Sequence, residues 1–122
     1  MYIIIVGGGK VGYHLAKALL NEGHEILVTE KNADRNQFIC DELGSVCVHG
    51  DGCEAATLAE VGTGRADMLI AVTGDDEDNL VACQVAKHKF NVPRTIARIS
   101  NPKNEAIFKK LGIDVTVSST NI

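Results

Sequence analysis

Three glycines in the stretch IIIVGGGKVGYHLAKALL, residues 3–20, carry the first chemical signal of this chain. Gly7, Gly9 and Gly12 make the pattern G-x-G-x-x-G, directly after a β-branched run and at the opening of a segment with helical period. That is the context in which such glycines hold a dinucleotide. Gly7 permits a tight exit from the strand, Gly9 lets the main chain approach a pyrophosphate, and Gly12 lets helix and strand pack closely. The free N–H groups of the helix start, at the positive end of its dipole, then meet the phosphates. Gly7, Gly8, Gly9, Lys10, Val11 and Gly12 are therefore the candidate phosphate cradle.

A carboxylate stands where such a cradle needs one. Glu30 closes the second hydrophobic run eighteen residues after Gly12, placed to accept hydrogen bonds from both hydroxyls of an adenosine ribose. It disfavours a 2′-phosphate by repulsion, so NAD is preferred over NADP. Lys31 and Arg35 stand near enough in sequence to weaken that preference.

Three further stretches complete the candidate set. Asp51, Gly52 and Cys53, in HGDGCE, follow the third run; Asp51 suits either the rim of an adenine site or a turn or helix cap. Thr73 and Gly74 follow the fourth run and open TGDDEDN. Its acidic residues fit the start of a helix, with Asp75 as cap, better than a cation site. Arg98 lies inside TIARIS, a run whose pattern expects burial, so its charge needs either an acidic partner or a bound phosphate. His14, His24, His49 and His88 are scattered, and no nucleophile–base pair can be assembled from them.

These residues are positioned by a regular alternation. Strands are expected at about 2–6, 25–30, 45–49, 67–73, 95–99 and 114–117, with helices near 10–22, 32–43, 54–61, 76–90 and 103–111. Val11, Leu15, Ala18 and Leu19 read as the apolar stripe of the first helix, and Ile107, Phe108 and Leu111 as that of the last. Gly23, Gly44 and Gly112 sit where helices should end, and Pro102 where the last should start. Runs 2–6 and 68–72 are apolar without alternation, as in strands covered on both faces. Strict βαβ alternation implies an α/β fold of Rossmann type: a doubly wound, parallel, six-stranded sheet with strand order 3-2-1-4-5-6. One domain over residues 1–122 is expected.

Composition excludes several classes. The formal net charge is −4 with no Lys/Arg cluster, which argues against nucleic-acid binding. Apolar runs are strand-sized, far short of the ~20 residues of a membrane helix, and Met1 leads straight into a strand with no room for a signal peptide. Cys40, Cys47, Cys53 and Cys83 form no C-x-x-C pair and fit no zinc spacing; they read as buried free thiols of a reducing compartment.

The stretches MYIIIVGGGKVGYHLAKALLNEGHEILVTEKN, GDG, ADMLIAVTGDDEDNLVACQVAK, TIARISNP and LGIDVTVSS resemble the TrkA N-terminal domain, also called the KTN domain or RCK N-lobe, of bacterial and archaeal potassium transport regulators. The resemblance covers nearly the whole chain. It implies a cytoplasmic regulatory domain that binds NAD(H) or ATP/ADP, with no catalytic residue. Such domains assemble as homodimers or rings and pass the ligand state to a membrane potassium transporter or channel. Carried onto this sequence, it puts Gly7, Gly9 and Gly12 at the phosphates, Glu30 at the ribose, Asp51 at the adenine end, Thr73 after the fourth strand and Arg98 on the phosphate side. Regulators of this kind continue into a crossover helix and a second lobe, whereas this chain stops at Ile122, and Cys53 stands where relatives often carry a small or hydroxylated residue.

The alternative is a short Rossmann NAD-dependent oxidoreductase or a fragment of one. Against it, six strands leave no residues for a substrate domain, and no Tyr-x-x-x-Lys or histidine-based hydride site is found. In the regulatory reading, the signal leaves through the faces of the fourth and fifth helices, where Leu80, Val81, Val85 and Phe90 exceed what one sheet-facing stripe needs.

Overall fold

The computed structural model describes residues 1–118; the end of the expected 1–122 domain, residues 119–122, lies outside the described residues. Six parallel strands form one sheet in the order β3-β2-β1-β4-β5-β6. They are β1 (Tyr2–Val6), β2 (Glu25–Glu30), β3 (Cys47–His49), β4 (Met68–Ala71), β5 (Thr95–Ile99) and β6 (Val115–Ser118). Between them run α1 (Lys10–Asn21), α2 (Ala33–Leu43), α3 (Ala55–Glu60), α4 (Asp76–Phe90) and α5 (Glu105–Lys110). The Rossmann-type expectation and its strand order hold.

β1 lies at the centre, with Ile4 opposite Leu27 of β2 and Leu69 of β4. All five of its residues are buried, because both sheet faces are covered. Ile4, Val6, Leu69, Ala97 and Ile99 pack with α3, α4 and α5 through Leu58, Ala82, Ala86 and Phe108. Ile3, Ile5, Ile26 and Val28 pack on the opposite face with α1 and α2 through Ala16 and Ile39.

Two expected helix stripes are corrected. On α1 the sheet-facing residues are Gly12 and Ala16; Leu15 and Leu19 are half-buried, while Val11 and Ala18 are exposed. Only small residues fit where α1 presses onto the exit of β1, and this rotates Val11 outward. On α5 only Phe108 enters the core, and Ile107 and Leu111 stay exposed. The helix expected over 103–111 begins instead as a single 3-10 turn at Pro102–Asn104, where the Asn101 side chain accepts from the Lys103 N–H at 3.0 Å.

Strands β3 and β4 are shorter than their apolar runs. Gly44, at φ 91°, turns the chain out of α2, and Val46 N–H bonds back to its carbonyl, so β3 pairs only from Cys47. Thr73 is drawn from the β4 ladder by a side chain of α4, described below.

The cysteine expectation also changes. Cys40, in the last turn of α2, and Cys47, the first residue of β3, are joined as a disulfide with their Cα atoms 5.8 Å apart. The tight turn between the two elements brings them face to face, which spacing alone did not reveal. Cys53 and Cys83 are free thiols, half-buried and buried respectively.

The contact between α1 and β1 gives the first prediction. A Cβ on Gly12 would be driven into the Gly7 carbonyl. Gly12→Ala should therefore lower unfolding free energy by about 3 kcal/mol. Urea denaturation followed by circular dichroism measures this, and an unchanged midpoint would contradict the packing described.

Candidate functional site

A crevice of about 570 Å³ opens at the carboxyl ends of the strands, where the chain order reverses between β1 and β4. This is the place at which open α/β sheets bind ligands. Twelve of the fourteen residues singled out by sequence line it: Gly7, Gly9, Lys10, Val11, Glu30, Lys31, Asp51, Gly52, Cys53, Thr73, Gly74 and Arg98. Gly8 and Gly12 do not: both are buried, Gly8 against Glu30 and Ile39 and Gly12 against the Gly7 carbonyl.

The glycine loop is built to leave donors free. Gly7 leaves β1 at φ 108°, with its N–H held by the Thr29 carbonyl at 2.9 Å. Gly9 is the N-cap of α1 and supplies no side-chain hydrogen bond. The first helical bond of α1 runs from Tyr13 N–H to the Gly9 carbonyl at 2.8 Å. The N–H groups of Lys10, Val11 and Gly12 therefore have no acceptor within the helix. A Cβ on Gly9 would meet no atom of the described residues within 4 Å, so open space lies beside this helix start. This arrangement is chemically suited to an anion.

Glu30 acts on the loop as well as on the crevice. Its Oε1 accepts from Gly8 N–H and its Oε2 from Asn32 N–H, each at 2.7 Å. Asn32 in turn caps α2 by accepting from Arg35 N–H at 2.8 Å. Arg35 donates Nε–H to the Gly8 carbonyl, with its guanidinium 4.6 Å from the centre of the Phe38 ring. Each Glu30 oxygen keeps a lone pair for a hydroxyl donor. Sequence reasoning located Glu30 and missed Arg35's grip on the loop.

At the far end, Lys31 reaches Asp78 across the crevice at 3.5 Å. Both side chains are well exposed, so the pair contributes little energy, although Asp78, and then Asp51, raises the Lys31 ammonium above its ordinary range. Asp51 takes the turn role: its Oδ1 accepts from Cys53 N–H at 2.9 Å while the residue lines the crevice. Burial, followed by the charges of Asp51 and Asp78, pushes the Cys53 thiol up to about 12. It is therefore no nucleophile at neutral pH. A Cβ on Gly52 would clash with Val6 and with the Thr29 hydroxyl, so only glycine fits there. That buried hydroxyl lines the crevice and has no hydrogen-bond partner among the described residues.

The opposite wall depends on a residue sequence reasoning did not select. Asn79 is completely buried on α4. Its Oδ1 accepts from Thr73 N–H at 2.9 Å and from Thr73 Oγ1 at 2.6 Å. Its Nδ2 donates to the carbonyls of Thr73 at 3.1 Å and Arg98 at 2.9 Å. One amide thus ties together the ends of β4 and β5. The available signal was an asparagine at the sheet-facing position of a helix start, where an apolar residue belongs.

The acidic run serves the fold. Asp75 caps α4 by accepting from Asp78 N–H at 3.0 Å. Asp76 accepts from the N–H groups of Ser100 at 2.7 Å and Asn101 at 2.9 Å and from Asn104 Nδ2 at 3.0 Å. Burial pulls the Asp76 carboxyl upward, but these bonds and the nearby Arg98 charge outweigh it and hold it below its ordinary range. Arg98 forms no ion pair among the described residues; its Nε is buried without a partner, and its side chain lines the crevice. No histidine among the described residues lines the crevice.

The profile of the TrkA-N domain matches residues 3–119. The chain belongs to the TrkA-N family. The Trk system potassium uptake protein TrkA homolog of Methanothermobacter thermautotrophicus is 39% identical over 118 residues, which cover 97% of this chain and 54% of that protein. The Trk system potassium uptake protein TrkA of Vibrio alginolyticus is 43% identical over 119 residues, covering 94% of this chain and 26% of that one. This TrkA-N chain spans about half the length of the first relative and less of the second. Among solved structures, the GsuK channel bound to NAD superposes with a TM-score of 0.83 at 26% identity, covering 96% of this chain and 20% of that one. GsuK bound to ADP superposes equally well over 96% of this chain and 30% of that one. No helix among the described residues of the TrkA-N chain is long and apolar enough to cross a membrane.

Two side chains should separate wall from loop. Asn79→Ala removes four bonds of a buried amide and should cost about 2–4 kcal/mol in urea unfolding. Glu30→Gln places an amide NH₂ against one of two N–H donors and should cost about 1–2 kcal/mol. A smaller loss for Asn79→Ala than for Glu30→Gln would reverse the ranking.

Proposed function

We propose that this TrkA-N chain is the nucleotide-sensing part of a regulatory protein in a Trk- or Ktr-type potassium uptake system or a potassium channel. The observation that carries the reading is the start of α1: three N–H groups without helical acceptors, no side-chain cap, and open space over Gly9. The ligand is a nucleotide with a pyrophosphate, NAD(H) or ATP/ADP. Its phosphates dock on Gly7–Gly12 and on Arg98, whose buried Nε has no partner among the described residues. The free lone pairs of Glu30 receive the ribose hydroxyls, and Asp51, Gly52 and Cys53, with Lys31 opposite, border the base. The names of the potassium uptake relatives, and of a channel solved with NAD or ADP, support this reading.

The chain acts by binding. The Cys53 thiol is held neutral, and the crevice has no histidine to move a proton among the described residues. The site lies cytoplasmically, beside a membrane partner, in a homodimer or ring assembled through α4 and α5. Val81 on α4, Ile107 on α5 and Leu111 just past it are exposed and apolar, as an assembly face requires. The ligand shifts the partner by the difference in its affinity for the two assembly states. Asn79 offers the path, since it joins the ligand end of β4 to the end of β5 beneath α4.

Thermal unfolding with NAD⁺, NADH, NADP⁺, ATP and ADP tests the reading. At a hundredfold excess over its Kd, the preferred nucleotide should add about 2.7 kcal/mol. Gly9→Val should keep the unliganded midpoint, because its side chain enters open space, and should abolish the response. Stabilisation by NADP⁺ alone would contradict the ribose role of Glu30, and no response to any of the five would sink the proposal.

A further inference from the structure

The Cys40–Cys47 pair lies outside the crevice, yet joins the two elements that flank Glu30. α2 starts with Asn32 and Arg35, which hold Glu30 and Gly8, and ends at Cys40. β3 starts at Cys47 and ends at His49, where Gly50 N–H bonds to the Glu30 carbonyl at 2.9 Å and His49 Nε2 meets the Lys31 carbonyl at 2.8 Å. Asp51, Gly52 and Cys53 follow directly.

Three observations distinguish this pair from a fixed structural bridge. The two cysteines are only seven residues apart, so closing the loop removes less chain entropy than a longer loop would. Both residues are half-buried rather than enclosed in the core. Ile39, completely buried beside Cys40, anchors α2 to the sheet by packing that does not involve the bond. The other two cysteines cannot substitute: burial pushes the thiols of Cys53 and Cys83 each up to about 12, and Cys83 is inaccessible.

We propose that Cys40 and Cys47 form a reversible thiol–disulfide site whose closed form braces the adenosine side of the crevice. The oxidant is a low-molecular-weight disulfide, RSSR. One cysteine thiolate attacks it, forming a mixed disulfide and releasing RS⁻, which takes up the proton lost by that cysteine. The second cysteine, also as thiolate, attacks the protein sulfur of the mixed disulfide. This closes the Cys40–Cys47 bond and releases a second RS⁻, which is protonated to RSH. Two protein thiols lose two electrons, and RSSR becomes two RSH. With the bond closed, α2 and β3 move as one body, and less freedom is lost when a nucleotide settles against Glu30. This second effect rests on the nucleotide reading proposed above; the exchange itself does not.

The test equilibrates the whole folded chain with graded ratios of reduced to oxidised glutathione, quenches with acid, and alkylates all thiols after unfolding. Mass spectrometry should count four alkylated thiols at the reducing end and two at the oxidising end, with a cross-linked peptide holding Cys40 and Cys47. Circular dichroism should be unchanged throughout. Four thiols at every ratio, or a bond that a phosphine reductant opens only when the chain unfolds, would overturn the exchange. ADP and NAD⁺ titrated against both forms should bind about threefold tighter when the bond is closed. The double variant Cys40→Ser/Cys47→Ser should bind with one affinity at all ratios. Equal affinities of the two wild-type forms would overturn the bracing effect. Absence of binding in both forms would refute it along with the nucleotide reading, while the thiol count would still decide the exchange.

Discussion

The structure turns on one close approach, that of the first turn of α1 to the end of β1. Because Gly12 has no side chain, the helix backbone comes down onto the Gly7 carbonyl. Because Gly9 has none either, the helix start has no side-chain cap. An ordinary N-cap would satisfy one of those N–H groups from within the chain. Here three remain without helical acceptors at the positive end of a twelve-residue helix, at the point where the strand order reverses. Burial of β1 on both faces supplies the rigidity that such exposed donors need, since a mobile loop would turn them to water.

Two side chains hold the crevice from opposite sides. Glu30 closes the left half by accepting from Gly8 and Asn32, and Asn79 closes the right half through Thr73 and Arg98. Their chemistry differs for a physical reason. Glu30 is half-exposed and can carry a charge at little cost, with lone pairs to spare. Asn79 is fully buried, where a charge would be expensive, so a neutral amide with two donors and one acceptor oxygen is used, and both of its polar atoms are satisfied. The two potassium uptake relatives are longer than this chain, which spans about half of the first and about a quarter of the second.

Much of the fold was legible because its rules are local. The uninterrupted apolar runs of β1 and β4, the helical periods between them and the glycines at helix ends impose a doubly wound sheet, and that sheet has few permitted strand orders. The helix faces were less legible. Val11 and Ala18 were expected inward and lie outward, because Gly12 and Ala16 permit a closer contact than any larger residue does. Ile107 and Leu111 were likewise expected in the core and are exposed, since the 3-10 turn at Pro102–Asn104 shortens α5 and leaves Phe108 alone to enter it.

Sequence by itself determined the parallel α/β architecture, the glycine loop and the carboxylate at the end of β2, since each depends on residue type at short, fixed spacing. Only the tertiary structure decided that Glu30 also holds Gly8, that Asn79 joins β4 to β5, that the Arg98 Nε has no partner among the described residues and that Cys40 meets Cys47. Each of these depends on the register of parallel strands joined through long crossovers or on the angle at which a turn returns the chain. Those quantities follow from packing the two faces of the whole sheet at once, and no local stretch contains them.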